Sequence, residues 1–279
     1  MPEGPEVAVI TKGLNNVLKN KYLFEIQITT SSRYREKKPD GFNKLSQLLN
    51  NSKIKIKEVK CKGKLIYFIL DNNTYIINRL GMSGFWSHKP GKHTSIIIHY
   101  GTQKQTLPYK LYFIDQRHFG LLKILFTKKE LDEQLAKIGP DLLNEKVSLN
   151  EYLKIMEKHK NKNVCKVMMD QTIMSGIGNY LKAEILYEAR VSPFNKVGNI
   201  PTEYLHKMYI ASIKIIKKSF MASGNSLQHY RDINSVKGEF EFKLKVYGRK
   251  SDQFLRKVVR TKTPDGRNTY YVPSIQIEF

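Results

Sequence analysis

Behind the first methionine stand Pro2, Glu3, Gly4, Pro5 and Glu6, which put an amine and two carboxylates within a few bonds. Loss of Met1 leaves Pro2 with a free secondary amine, one residue from Glu3. An α-amine has a pKa near 8, so part of it is neutral at neutral pH, unlike an ordinary lysine. It is therefore available for bond formation. The plain alternative is a stiff lead-in to a first helix, where proline's missing N–H has no partner to lose. Glu6 likewise reads either as a ligand contact or as a first-turn acid favoured by the helix dipole.

A second stretch, DQTIMSGIGNYLKAEILYEARVSPF (170–194), joins two helical runs through Ser175-Gly176-Ile177-Gly178-Asn179. Its glycines permit a tight turn and a close backbone approach to a ligand. Asn179 suits a helix cap. The N-terminus of the following helix would present free N–H groups to a phosphate. An ordinary helix-turn-helix corner explains the pattern equally well. Lys64 follows Gly63 in a basic turn and, read alone, is a solvated hairpin charge.

Composition points to a polyanionic partner. Lys and Arg number 48 against 25 Asp and Glu, giving +23 at pH 7 and a pI near 9.8. That imbalance favours nucleic acid first and an acidic membrane surface second. No long apolar run suggests a membrane span, and no secretory signal is read at the N-terminus. Cys61 and Cys165 form no CxxC pair, which fits a reducing, intracellular setting.

These residues need elements to hold them. Ile10, Leu14, Val17 and Leu18 recur at helical spacing, predicting a helix over 5–19. From 22 to 126 the pattern turns to short β-rich runs: KLIYFIL (64–70), TYIINRL (74–80), TSIIIHY (94–100) and KLYFI (110–114). Turn residues such as Asp71-Asn72-Asn73 and Lys89-Pro90-Gly91 separate them. From about 128 the chain reads as helical, with a capping box at Ser148–Glu151 opening a helix to about 158. Further helices are expected at about 164–173, 180–190 and 202–221. Strand-like runs return in EFKLKVYG (241–248), KVVRTK (257–262) and NTYYVPSIQ (268–276). The expected class is α+β: a β-sandwich or barrel-like domain with a leading helix (1–127), a helical domain (128–239) and a β-hairpin appendage (240–279).

The run MDQTIMSGIGNYLKAEILYEARVSP resembles the helix-two-turn-helix motif of the Fpg/Nei DNA glycosylases, and the opening PEGPE resembles their catalytic N-terminus. CKGKLIYF (61–68), LGMSG (80–84), DQRHFG (115–120) and VYGRK (246–250) follow in the family's order. The resemblance spans essentially the whole chain and implies the sandwich, the helical domain and a hairpin finger. It also implies that Pro2 attacks C1′ of the damaged nucleotide while Glu3 protonates the opening sugar. Lys64 and Arg267 would grip phosphates at the lesion. Lys60 and Lys62 read only as general electrostatics. Glu6 would contact sugar or base, and Asn179 and His93 the DNA. Met82, Arg117 and Phe119 would fill the hole left by the extruded base; taken singly, Met82 and Phe119 would read as core. Where Fpg enzymes often carry a second arginine, this chain has His118, so no phosphate contact is carried over there.

The finger departs from the four-cysteine zinc pattern of many relatives. Phe254, Lys257, Val272 and Ile275 stand at those positions, and none is a zinc ligand. A zincless finger of the Nei-like kind is expected, with Phe254, Val272 and Ile275 packing in place of the metal. Lys243, Lys245, Arg249, Lys250, Arg256, Lys257, Arg260 and Lys262 crowd the same region. The resemblance thus implies a bifunctional glycosylase and β,δ-lyase of base excision repair. It would act on oxidised pyrimidines and ring-opened purines in damaged DNA, as a monomer, with no cofactor, metal or membrane. The rival readings are a catalytically inactive DNA-binding relative of the same fold, and an RNA-binding or architectural protein.

Overall fold

The computed structural model describes residues 2–103, 107–222 and 244–279. The expected boundary at 239/240 and Lys243 lie outside the described residues. Two compact units emerge: Pro2 with Glu6–Ala136, and Glu3–Pro5 with Lys137–Ala222 and the described part of Glu241–Phe279. No helix among the described residues is long and apolar enough to cross a membrane.

Helix α1 (Gly4–Leu18) belongs to the first unit from Glu6 onward, and its Val7, Ile10, Leu14 and Leu18 are buried on one face. Strand β1 (Tyr22–Ile28) and helix α2 (Phe42–Asn51) follow. Next come β2 (Ile54–Lys62), β3 (Leu65–Leu70), β4 (Tyr75–Arg79), β5 (Phe85–Ser87), β6 (Thr94–Gly101), β7 (Tyr109–Ile114), β8 (Leu121–Leu125) and α3 (Lys128–Ala136). The strands pair antiparallel in the order β5-β7-β6-β1-β2-β3-β4-β8. Only a short pairing, Tyr22 with Lys55 and Leu23 with Ile54, joins β1 to β2. The sheet therefore divides there into two layers, the expected β-sandwich. Ile26, Ile98 and Phe113 of one layer share a core with Val59, Phe68 and Ile124 of the other. Trp86 is the largest side chain inside it, and its indole N–H donates to Asn78 Oδ1 at 3.1 Å. Helix α2 is a departure from the strand-only reading of this region. Phe42, Leu45 and Leu49 carry its apolar face.

The second unit contains α4 (Leu149–Lys158), α5 (Val164–Met169), α6 (Asn179–Glu188) and α7 (Thr202–Met221), then β9 (Val259–Lys262) and β10 (Asn268–Tyr271). The capping box forms as expected: Glu151 N–H donates to Ser148 Oγ at 3.2 Å, and Ser148 N–H to Glu151 Oε2 at 2.7 Å. Helix α5 stops short of 173 because Asp170 Oδ1 accepts from Thr172 N–H and Oγ1–H, closing a turn. The described residues of the expected strand 241–248, Leu244–Gly248, are turn and irregular backbone instead. Their N–H groups are drawn to a helix carboxylate described below.

Helix α6 is buried on every side from Tyr180 to Tyr187. Apolar neighbours such as Cys165, Met168 and Ile216 surround Leu181, Ile185 and Leu186. Because the Ser148 hydroxyl accepts from the otherwise unpaired Glu151 N–H at the start of α4, Ser148→Ala is expected to lower stability by about 1 kcal/mol. Urea unfolding would show it as a lower midpoint at unchanged slope.

Candidate active site

Glu3 is buried, being 3% exposed. Its Oε2 accepts from Gly178 N–H at 2.8 Å and Leu181 N–H at 3.2 Å, and its Oε1 from Tyr180 N–H at 2.9 Å. A carboxylate thus occupies the N-terminus of α6, where unpaired N–H groups and the helix dipole favour an anion. This corrects the expectation of a phosphate there: those donors are spent on Glu3. The helix cap is Gly178 rather than Asn179. A Cβ on Gly178 would lie 2.2 Å from the Glu3 carboxyl carbon, so only glycine admits this contact. Gly4 N–H, donating to the Gly176 carbonyl at 2.8 Å, fixes the peptide that follows Glu3.

In the first unit, Pro2 is half-buried ahead of α1, and Glu6 is fully buried in the first turn of that helix. Gly63 and Lys64 form the two-residue turn between β2 and β3, with Lys62 paired to Leu65. Gly63 has φ 55°, the left-handed value that the first turn residue of such a hairpin needs. Lys64 is half-buried at that tip. His93 is half-buried just ahead of β6, and its carbonyl accepts from Asp115 N–H at 3.0 Å.

The wedge candidates sit on two loops that the structure ties together. Met82 is 43% and Phe119 58% exposed, and Arg117 Nη1 lies 3.6 Å from Met82 Sδ. Beneath them Asp115 is buried. Its Oδ2 accepts from Gly120 N–H at 2.6 Å, and its Oδ1 from Ser83 Oγ–H at 3.2 Å. Ser83 Oγ in turn accepts from Arg117 N–H at 3.1 Å. Arg33 Nη1 donates to the carbonyls of His118 and Gly120 at 3.1 and 3.3 Å. His118 itself sits at φ 58°, a left-handed backbone that this bracing supports. Met82 and Phe119 thus stand outside the core, held outward above a buried polar network.

In the second unit Arg267 is exposed at the end of the turn joining β9 to β10. Asn179 Nδ2 donates to the carbonyl of the next residue, Asn268, at 2.8 Å. Two members of the expected basic crowd are spent internally: Lys245 on Glu188 and Arg256 on Asp252. Arg260 and Lys262 remain exposed beside Arg267.

Residues 1–122 match the formamidopyrimidine-DNA glycosylase N-terminal domain, and residues 138–231 its H2TH domain. A formamidopyrimidine-DNA glycosylase of Prochlorococcus marinus strain MIT 9515 is 30% identical over 298 residues, covering 99% of this chain and 100% of that protein. The namesake from Ureaplasma parvum serovar 3 is 30% identical over 285 residues with the same coverage. The chain belongs to the formamidopyrimidine-DNA glycosylase family. Its fold matches the MutM (Fpg) protein of Thermus thermophilus with a TM-score of 0.83 at 25% identity, over 100% of both chains. Lactococcus lactis Fpg, solved with DNA containing an abasic site, shares the fold at a TM-score of 0.83 and 22% identity, over 99% of this chain and 100% of that one.

Zinc-fingered members of this family raise the question of a metal here. The side chains of Phe254, Lys257, Val272 and Ile275 do not fit zinc, which takes thiolate, imidazole or carboxylate donors. Among the described residues no three His, Cys, Asp or Glu side chains gather to hold an ion. Val272 and Ile275 pack, as expected, with Val246 and Val258 against Ala183 and Tyr187 of α6. Phe254 does not: it is 64% exposed under the Arg256 guanidinium, 4.6 Å from its ring. What closes the finger at that end is Asp252, a residue for which the sequence suggests no role. Its Oδ1 accepts from Phe254 and Arg256 N–H at 2.9 and 3.0 Å, and its Oδ2 from Arg256 Nε and Tyr187 Oη–H at 2.7 and 3.0 Å. Glu184 of α6 does the same for the other end, accepting from the N–H groups of Lys245, Val246 and Tyr247, each at 2.9 Å.

Burial pushes the Asp252 carboxyl up, but the Arg256 guanidinium, the two backbone N–H groups and the Tyr187 hydroxyl outweigh it. Its pKa falls from 3.8 to about 2. A depressed folded-state pKa contributes stability above the unfolded value that is lost as pH falls through the folded one. Finger order is therefore expected to fail between about pH 4 and pH 2, followed by the NMR signals of Tyr187 and Tyr270. Asp252→Asn should loosen the finger already at pH 7 and flatten the profile in that window. Gly178→Ala, which displaces the Glu3 carboxyl, is expected to cost roughly 2–4 kcal/mol by thermal unfolding. An unchanged melting temperature would contradict the Glu3 contact.

Proposed function

We propose that this DNA glycosylase family member removes oxidised bases from damaged DNA and then nicks the strand, using the amine of Pro2 exposed by loss of Met1. The Pro2 nitrogen attacks C1′ of the lesion nucleotide, and the base leaves with the electron pair of the glycosidic bond. Glu3 takes the proton that the Pro2 nitrogen loses and passes it to the sugar ring oxygen as the C1′–O4′ bond breaks, giving an iminium between Pro2 and C1′. That positive charge acidifies the C2′ proton. Its removal expels the 3′ phosphate, and a second elimination expels the 5′ phosphate. Lys64 and Arg267 hold the phosphates flanking the lesion, and His93, Glu6 and Asn179 contribute further contacts to the nucleotide and its strand.

The observation that carries this reading is the Glu3 carboxylate, fixed by three N–H donors one peptide bond away from Pro2. A carboxylate serving only to start a helix has no need of a remote anchor. Met82, Arg117 and Phe119 supply what extrusion of a base demands: apolar and planar groups for the vacated stack, and a guanidinium for the orphaned partner base. Oxidised pyrimidines and ring-opened purines are the expected substrates, handled by a monomer without a metal.

Pro2→Gly is expected to slow cleavage of duplex oligonucleotides bearing single lesions by roughly tenfold to a hundredfold, with DNA affinity kept. A wild-type rate would remove Pro2 from the mechanism and favour a binding protein without this chemistry.

A further inference from the structure

Resting on the reading of Arg267 as a phosphate grip, we propose that Lys182 and Asp265 form a positioning pair that sets the Arg267 turn against helix α6. The turn Thr263–Arg267 is exposed at Pro264, Gly266 and Arg267. Its own backbone gives it two hydrogen bonds: Thr263 N–H to the Arg267 carbonyl at 2.9 Å, and Gly266 N–H to the Thr263 carbonyl at 2.8 Å. A turn so placed moves readily unless a side chain ties it down.

Asp265 is that tie. It stands in an exposed turn, yet its side chain is only 4% exposed, and the Lys182 ammonium it meets is 0% exposed. Lys182 Nζ donates to Asp265 Oδ2 at 2.6 Å. Asp265 Oδ1 accepts from Thr263 Oγ–H at 2.5 Å, and the same hydroxyl lies 3.0 Å from the Arg267 carbonyl oxygen. A continuous path thus runs from a rigid helix to the backbone of Arg267: Lys182, Asp265, Thr263, Arg267. Burial raises the Asp265 carboxyl, and Lys182 and Thr263 more than offset that, so it is held below its ordinary value.

Stability alone is a poor reason for such a pair. Buried ion pairs can commonly be replaced by apolar residues of similar size with no loss of stability, because both charges are costly to desolvate. A lysine placed among Leu181, Ile185 and Leu186 therefore marks a demand for direction. The same helix holds Glu3 at its N-terminus. Lys182 thereby sets the phosphate grip and the proton-transfer carboxylate in one frame.

The test is a cycle read two ways. Lys182→Met with Asp265→Leu is made in the wild-type chain and in Arg267→Ala. Thermal melting and single-turnover cleavage of a duplex oligonucleotide with one abasic site are measured. The apolar pair should melt within a few degrees of wild type yet cleave about tenfold more slowly. In the Arg267→Ala chain it should change the rate less than about twofold, since there is no guanidinium left to position. Wild-type cleavage by the folded pair variant, or an equal loss in both chains, overturns the pairing. Arg267→Ala cleaving at the wild-type rate instead overturns the reading of Arg267, a separate outcome. Should the apolar pair not fold, Thr263→Val keeps the ion pair and cuts the last link. It should slow cleavage severalfold only where Arg267 is present; equal losses with and without Arg267 would again refute the proposal.

Discussion

A helix buried on every side must find partners for the charged and polar groups it carries, and α6 finds them in Glu3 and in the finger. Its N-terminal N–H groups take the Glu3 carboxylate. Asn179, Lys182, Glu184 and Tyr187 then reach, turn by turn, Asn268, Asp265, the 245–247 backbone and Asp252. Leaving any one of these groups unpaired would cost about 1–3 kcal/mol, more for the charged ones. The finger is therefore registered on the helix at several heights rather than hung from one point.

That registration matters because a structural zinc would contribute roughly 10–16 kcal/mol to a small finger. Charge-assisted hydrogen bonds are worth about 1.5–3 kcal/mol each. The Asp252 clasp cannot match a metal alone. The buried valines Val246, Val258 and Val272 share the task by packing on Ala183 and Tyr187. In the first unit the logic is the same at smaller scale. Asp115 and Arg33 are spent on bracing two loops so that Met82, Arg117 and Phe119 can stand in solvent. In both units exposed side chains stand on loops braced by buried, charged neighbours.

Local patterns make much of this legible. The strand runs, the capping box and the long α7 follow from alternation, turn residues and capping chemistry. Helix α2 is equally available, since Phe42, Leu45 and Leu49 fall at helical spacing, but its β-rich flanks mask it. The N-terminus of α6 escapes sequence reasoning for a different reason. Its anion comes from Glu3, 175 residues before Gly178, and no local pattern carries that contact. Lys182 and Glu184 do leave a trace, as charges within the otherwise apolar run of YLKAEILY. Asp265 and Asp252 leave none, because aspartate in a turn is expected on conformational grounds alone.

The chemical core of the account is an N-terminal ring nitrogen bonded to deoxyribose. Borohydride reduction during reaction with abasic-site DNA, followed by protease digestion and mass mapping, tests it most directly. The account predicts that the sugar-bearing peptide starts at Pro2 and carries the adduct on its first residue. An adduct on Lys64 or any other lysine, or an active protein whose first peptide still bears Met1, would contradict it.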